Sequence, residues 1–395
     1  MPERHDAIVI GLGGMGSATA YHLARRNHRV LGLEQFGEGH ERGSSHGLTR
    51  IIRLAYHEHP SYVPLLRRSY ELWHELEQLA GKELLITTGS LEGGPEDGPM
   101  FRGALEAAEL HDLPHKVLDL SDLARRFPVW KELDPDSRYV LQPDGGFLLA
   151  EETMAAHVEA AAAHGAELHW EEPVSGWEPS ADGGVTVTTT AATYHADRLV
   201  ITAGAWARQL LPRLAELAVP ERQVLGWFTP LRPEPFSVER FPVFIFDVAG
   251  ESWYGFPTHE GHGVKVGWYH HFREPMQPDD PDRLTTPRDE AALRAFVERH
   301  LPDAGGATEM LKACMFTNTP DEHFIIDRLP DTPQVTIAAG FSGHGYKFCS
   351  VVGEICAELA IDGATRHDIG LFALGRFGVE TNVDKLVDEP PSGGA

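Results

Sequence analysis

Residues 6–10, DAIVI, pass directly into GLGGMG, and this junction constrains the fold more than any other stretch of the chain. Gly11, Gly13 and Gly16 fill the three positions of a GxGxxG turn, and the helical pattern SATAYHLARR follows at once. A second apolar run, RVLGLE, ends in Glu34, 18 residues beyond Gly16. Strand, glycine turn, helix and acid in this order predict a dinucleotide-binding unit. Gly11 makes the tight turn, Gly13 lets backbone approach a pyrophosphate, Gly16 lets helix pack on strand, and Glu34 accepts from ribose hydroxyls. An acid at position 34 also disfavours a 2′-phosphate, and with it NADP.

The far end of the chain gathers reactive side chains. KACMFTNTPDEHFIID, 312–327, and AAGFSGHGYKF, 338–348, carry Cys314, His323, His344 and Lys347. Residues 338–343 read as a short apolar strand entering a glycine turn, and SVVGEICAELA as an amphipathic helix. A strand, glycine turn and helix N-terminus make a positive mouth for an anionic or polar group.

Between these ends, residues 61–80 predict a helix packed through Leu65, Leu72, Trp73, Leu76 and Leu79, and residues 151–164 a helix stopped by Gly165. AELHW, VTVTTT and ADRLVITAGAW read as strands around a DGG turn at 182–184, with Gly204 a second point of close backbone approach. From about 218 to 310 the texture changes to aromatic-rich antiparallel strands, GWFTP, VFIFD, SWYGFP and GVKVGWYHHF. The expected fold is α/β and α+β: a Rossmann-like dinucleotide-binding domain (1–85, 150–217 and 322–385) with a mixed-sheet substrate domain (86–149 and 218–321) inserted. Residues 386–395 are expected to be a disordered tail.

A net charge of -25, spread along the chain, argues against a nucleic-acid partner. An acidic protein that binds an anion needs a local basic island, for which Arg50, Arg53, Lys265 and Lys347 are the candidates. Three cysteines, Cys314, Cys349 and Cys356, are an odd number without metal spacing, so neither a disulfide framework nor a metal site is expected. No apolar run approaches the ~20 residues of a membrane span, and the first strand leaves no room for a signal peptide. The expected location is the cytoplasm.

GLGGMG, GSSHGLTRIIR at 43–53, TAGAW at 202–206, KACMFTNTPDEHFIID and GFSGHGYKF together resemble the monomeric sarcosine oxidase and N-methyltryptophan oxidase family of FAD-dependent amine oxidoreductases, over the chain to about residue 376. The resemblance implies an FAD domain of discontinuous segments under a mixed sheet that roofs the flavin. It implies FAD joined covalently through its 8α position to Cys314. A thiolate is an able nucleophile toward an electron-poor methyl position, although without the surrounding motif an inert buried thiol would be the expected reading. Cys349 and Cys356 are expected in the core.

By the same resemblance Arg53 and Lys347 hold the substrate carboxylate beside Tyr56, while Arg50 and Lys265 lie against the flavin with Tyr254 and His270. Lys265 falls on the face where oxygen is reduced, where a fixed cation stabilises developing superoxide. From pattern alone, a lysine in GVKVGW would be solvent-facing. Gly11, Gly13, Gly14, Met15, Gly16, Glu34, Gln35, Ser44, Ser45, Gly204, Gly343, His344, Gly345 and Lys347 complete the expected cofactor contacts. The implied reaction is oxidation of a secondary N-methyl amino acid such as sarcosine to amino acid, formaldehyde and hydrogen peroxide, with oxygen as acceptor and the protein a monomer. The rate is expected to rise with pH, because only the neutral amine gives up hydride.

The chain departs from the family in places. The family usually has a histidine four residues after the lysine, on the same strand face; here position 269 is tyrosine, and either a β-bulge returns His270 to the site or Tyr269 takes its place. Phe316 stands where relatives commonly have tyrosine. A pocket walled by Trp227, Phe228, Trp253 or Trp268 would suit N-methyltryptophan or a cyclic imino acid (pipecolate, proline) as well as sarcosine. An NAD-dependent dehydrogenase would share the N-terminal fingerprint but consume no oxygen, and a non-catalytic flavoprotein would hold FAD without being bleached.

Overall fold

A computed structural model describes residues 4–280 and 284–378; the tail expected at 386–395 lies outside them. Its first sheet is built on Arg4–Ile10, flanked in parallel by Thr193–Ile201 and Val30–Leu33. Glu167–His169 and Thr332–Ala339 extend it in parallel, while Val174–Pro179, Val185–Thr189 and Ile325–Leu329 add antiparallel pairs. Both faces of the first strand are buried by alternation. Ala7 and Val9 pack with the helices Gly14–Ala24, Tyr62–Ala80, Ala150–Ala163 and Cys349–Asp362, and Ile8 and Ile10 pack with a second core.

The last of these helices is not the amphipathic element expected. Ten of its fourteen residues are buried, because it packs on the sheet and against both the helix Gly14–Ala24 and the helix Tyr62–Ala80. Leu79, expected in the packed face of Tyr62–Ala80, is instead 52% exposed, in the last turn before Gly81 caps the helix in a left-handed conformation.

The second sheet runs in the order Thr308–Asn318, Val219–Phe228, Val264–Trp268, Glu251–Phe256, Val243–Val248, Ser90–Pro95, Ser137–Gln142 and Lys116–Leu118. It is mixed: Val243–Val248 and Ser90–Pro95 pair in parallel, and the others antiparallel. One face packs on the helix Pro287–His300, which the strand-rich reading of 218–310 omitted although Thr286 and Asp289 close a capping box at its start. Trp253 and Trp268 pair across neighbouring strands on that covered face and stack 5.4 Å apart, with Phe296 4.3 Å from Trp253. Trp253, Trp268 and Phe228 therefore belong to a core, not to a pocket wall. The opposite face carries Gln223, Leu225, Tyr254, Phe256 and Lys265 and looks toward the first sheet's glycine turns. Among the described residues no helix is long and apolar enough to cross a membrane.

Candidate active site

A cavity of about 730 Å³ runs from the N-terminus of the helix Gly14–Ala24 to that open sheet face. At its first end Gly11, Gly13, Gly14, Met15, Glu34, Gln35, Ser44, Ser45 and Gly204 all line it. Gly16 does not. A Cβ there would run into the Gly11 carbonyl, so its role is helix-to-strand packing. Gly11 sits at φ 89, which a larger side chain would strain. Glu34 accepts from the Leu12 and Phe36 amides at 2.9 and 3.1 Å, with His40 Nε2 3.5 Å away. Burial works against its charge, but His40 and these amides hold the carboxyl below its usual range, leaving an ionised acceptor for sugar hydroxyls.

Midway along the cavity, Cys314 faces in from strand Thr308–Asn318, 6% exposed. Arg50 places Nη2 4.0 Å from its sulfur and anchors by donating to the Thr49 and Ser44 carbonyls at 2.9 Å each. Ser44 donates to the Met315 carbonyl at 2.7 Å, tying the glycine-rich segment to the strand that carries Cys314. Cys349, expected in the core, lines the cavity beside Gly14 as well as being buried.

Lys265 is 2% exposed, so its pattern-based reading as a surface residue is corrected. Its Nζ donates to the Gly47 carbonyl at 2.8 Å, the Thr49 carbonyl at 2.8 Å and Thr49 Oγ1 at 3.1 Å. Burial, and Arg50 next, pull its pKa well below the ordinary value, yet three acceptors use three N–H donors, which only the ammonium has. Trp227 lies 5.2 Å from this Nζ, buried behind it rather than on the cavity wall.

At the other end of the cavity, Arg53 is 1% exposed and lies between two carboxylates. Nη2 donates to Glu58 at 2.9 and 2.8 Å, and Nε lies 3.2 Å from Glu92. Lys347 donates to the His344 carbonyl at 2.8 Å, and burial, with Arg53 nearby, lowers its pKa to about 7. Both cations rest on the Tyr56 ring, 4.2 and 5.2 Å from its centroid. Tyr56 itself is fully buried behind the wall and donates to His344 Nδ1 at 2.6 Å, so it supports the site without lining it. His344 Nε2 donates to the Glu322 carbonyl at 2.9 Å, which fixes that tautomer.

Position 269 needs no bulge. The strand ends at Trp268; Tyr269, on the Lys265 face, donates to the Ser342 carbonyl, and His270 reaches the cavity from a left-handed conformation, φ 58. Burial opposes the charge of His270, but hydrogen bonds to Glu221 at 2.7 Å and Glu322 at 3.1 Å raise its pKa to about 9. Phe316 packs 5.0 Å from Tyr269 and closely covers Gly343, and Gly345 lines the cavity beyond it. Sequence reasoning passed over His57, Glu58, Glu92 and Glu322. The first two follow Arg53 at a short distance and Glu92 is an acid within the apolar strand SLEGGP, but no local spacing marks the three as one cluster.

The FAD dependent oxidoreductase family model matches residues 6–359. The chain is 47% identical to the monomeric sarcosine oxidase of Streptomyces avermitilis, over 94% of this chain and 97% of that one. It is 33% identical to the N-methyl-L-tryptophan oxidase of Salmonella agona, over 95% and 99%. The solved structure of NikD, an unusual amino acid oxidase essential for nikkomycin biosynthesis, superposes with a TM-score of 0.82 at 27% identity, over 94% of this chain and 97% of that one. The cavity's chemistry fits FAD: a glycine turn that keeps side chains off a pyrophosphate path, an ionised acid at its sugar end, and a thiol and fixed cations farther along.

Proposed function

The chain belongs to the FAD dependent oxidoreductase family, and we propose that its activity is the oxidative demethylation of a sarcosine-like secondary amino acid in this cavity. The observation that carries the reading is the pairing of a dinucleotide turn at one end of the cavity with Arg53 and Lys347 at the other. FAD, when bound, supplies the ring that accepts a hydride equivalent and returns the electrons to oxygen as hydrogen peroxide. Gly11, Gly13, Gly14, Glu34, Ser45 and Gly204 would hold its dinucleotide part, with Cys314 as the covalent tether.

Arg53 and Lys347 take the substrate carboxylate. Glu58 is the group it displaces from Arg53, since its side chain is 16% exposed and that of Glu92 only 2%. Tyr254, Phe256, Tyr269 and Phe316 then box the N-methyl group away from water. Lys265, held by its three acceptors, presents a fixed positive charge to negative charge developing on oxygen. The imine product hydrolyses to amino acid and formaldehyde.

The two-domain division at 1–85, 150–217 and 322–385 against 86–149 and 218–321 is part of this proposal. It is supported by the first sheet's strands all falling in the former segments and the second sheet's in the latter. A cytoplasmic monomer is the proposed state. Formaldehyde and peroxide assays with sarcosine, N-methyltryptophan, pipecolate and proline test the substrate. Sarcosine is expected to give the highest kcat/KM. The three aromatics turned into the far core and the buried Trp227 leave none of these four side chains on the cavity wall, and a preference for N-methyltryptophan would contradict this reading.

A further inference from the structure

His57, on the cavity wall, and the buried Glu92 behind it form a pair that has no part in the mechanism above. His57 directs Nδ1 at Oε1 of Glu92, a carboxylate on strand Ser90–Pro95 that is 2% exposed. A carboxylate pairing with Arg53 only accepts, so Nδ1 carries a proton, and in the neutral ring the lone pair is then on Nε2. Nε2 makes no hydrogen bond among the described residues, and the ring lines the cavity, its side chain 22% exposed. The charged groups facing it are Glu92, Arg53 with Nη2 at 3.3 Å, and Glu58 with Oε2 at 3.4 Å. His344 lies beyond Glu58 at 4.0 Å, and Lys347 beyond that. Because Arg53 already sits between Glu58 and Glu92, it is the cation of this cluster, and His57, Glu58 and Glu92 have no need of a metal ion.

The geometry points to His57, oriented by Glu92, as the acceptor of the proton that a substrate ammonium must lose before its C–H bond breaks. The inference rests on the amine-oxidase reading. A carboxylate on Arg53 brings the α-nitrogen two bonds away to the same wall, within reach of Nε2 directly or through one water. The substrate N–H bond breaks, an Nε2–H bond forms, and the N–H electron pair stays on the substrate nitrogen, so the step needs no oxidant. The imidazolium pairs with Glu92 and returns its proton to solvent at its exposed edge. Other acceptors on the wall are weaker or in use. Glu58, even once the substrate carboxylate has displaced it from Arg53, is a far weaker base than an imidazole; His270 has both ring nitrogens committed to Glu221 and Glu322; both ring nitrogens of His344 are engaged.

Two measurements on the holoenzyme test this. Anaerobic stopped-flow flavin reduction by sarcosine across pH, in wild type and His57→Gln, should show the variant slower on the order of a hundredfold near neutrality. The gap should close as pH approaches the ammonium pKa of the free substrate, where the amine needs no acceptor. Ring-¹⁵N NMR of histidine-labelled wild type, with His57 identified by its loss in H57Q or its shift in Glu92→Gln, should show the Nδ1–H tautomer. A rate unchanged, or lowered by one factor at every pH, or an Nε2–H tautomer, overturns the assignment. Wild type that no N-methyl amino acid reduces overturns the oxidase reading as well, so the two failures are distinguishable.

Discussion

Lys265 shows what a single residue contributes here and how little of it pattern could tell. A lysine in an apolar strand is solvent-facing by default, but three acceptors around Nζ make burial of its charge tolerable. Its proposed work is on the oxygen half of the reaction. Lys265→Met should slow flavin reoxidation on the order of a hundredfold while changing reduction much less, as removal of one charge-stabilising group typically costs about 2.7–4 kcal/mol. Stopped-flow measurement of both half-reactions checks this, and equal slowing of the two would remove the role. Cys314 makes a second residue-scale prediction: acid-precipitated wild type should give a yellow pellet, and Cys314→Ser a colourless pellet with yellow supernatant. A colourless wild-type pellet would mean that the flavin is not attached. The glycine turn and Glu34 were legible because each stands in a motif with a mechanical reason, whereas Cys314 and the four cations were assigned roles only through the family resemblance. His57, Glu58 and Glu92 were not legible, because their meaning lies in a meeting of Arg53 with a strand 39 residues on, at Glu92, which no local spacing encodes.

At the scale of elements, strand alternation did more than the reading by composition drew from it. Once Lys265 is assigned to the cavity, period two puts Tyr269 with it and sends Val264, Val266 and Trp268 to the opposite face, and the register carries Trp253 to that face too. The helices against the first sheet hold a different feature, two buried histidines. His22 and His157, from the helices Gly14–Ala24 and Ala150–Ala163, are 4% and 2% exposed, and burial lowers both pKa values to about 3. Between that value and the ordinary 6.5, the unfolded chain binds protons that the folded chain refuses. Stability from this pair is therefore complete above about pH 6.5 and falls as pH drops toward 3, by up to about 1.4 kcal/mol per unit for each ring. Thermal melts of wild type should show Tm declining from pH 6.5 to 4, and His157→Leu should flatten that slope. An identical slope in the variant would contradict the assignment.

Across the whole molecule, two sheets with separate cores face one another, and the cavity lies where their functional faces meet. Chain order made the first sheet readable early, since strand, turn and helix are contiguous there. The second is assembled from segments 90–142 and 219–318, and its mixed pairing comes from the return of Val243–Val248 beside Ser90–Pro95. A chain of net charge -25 places Arg50, Arg53, Lys265 and Lys347 along this one cavity, which meets the electrostatic requirement for a substrate carboxylate. The most direct test is the flavin absorbance of the purified holoenzyme mixed anaerobically with sarcosine. The account predicts that the oxidised band bleaches, faster as pH rises, and returns when oxygen is admitted; a band unmoved by sarcosine at any pH would contradict it.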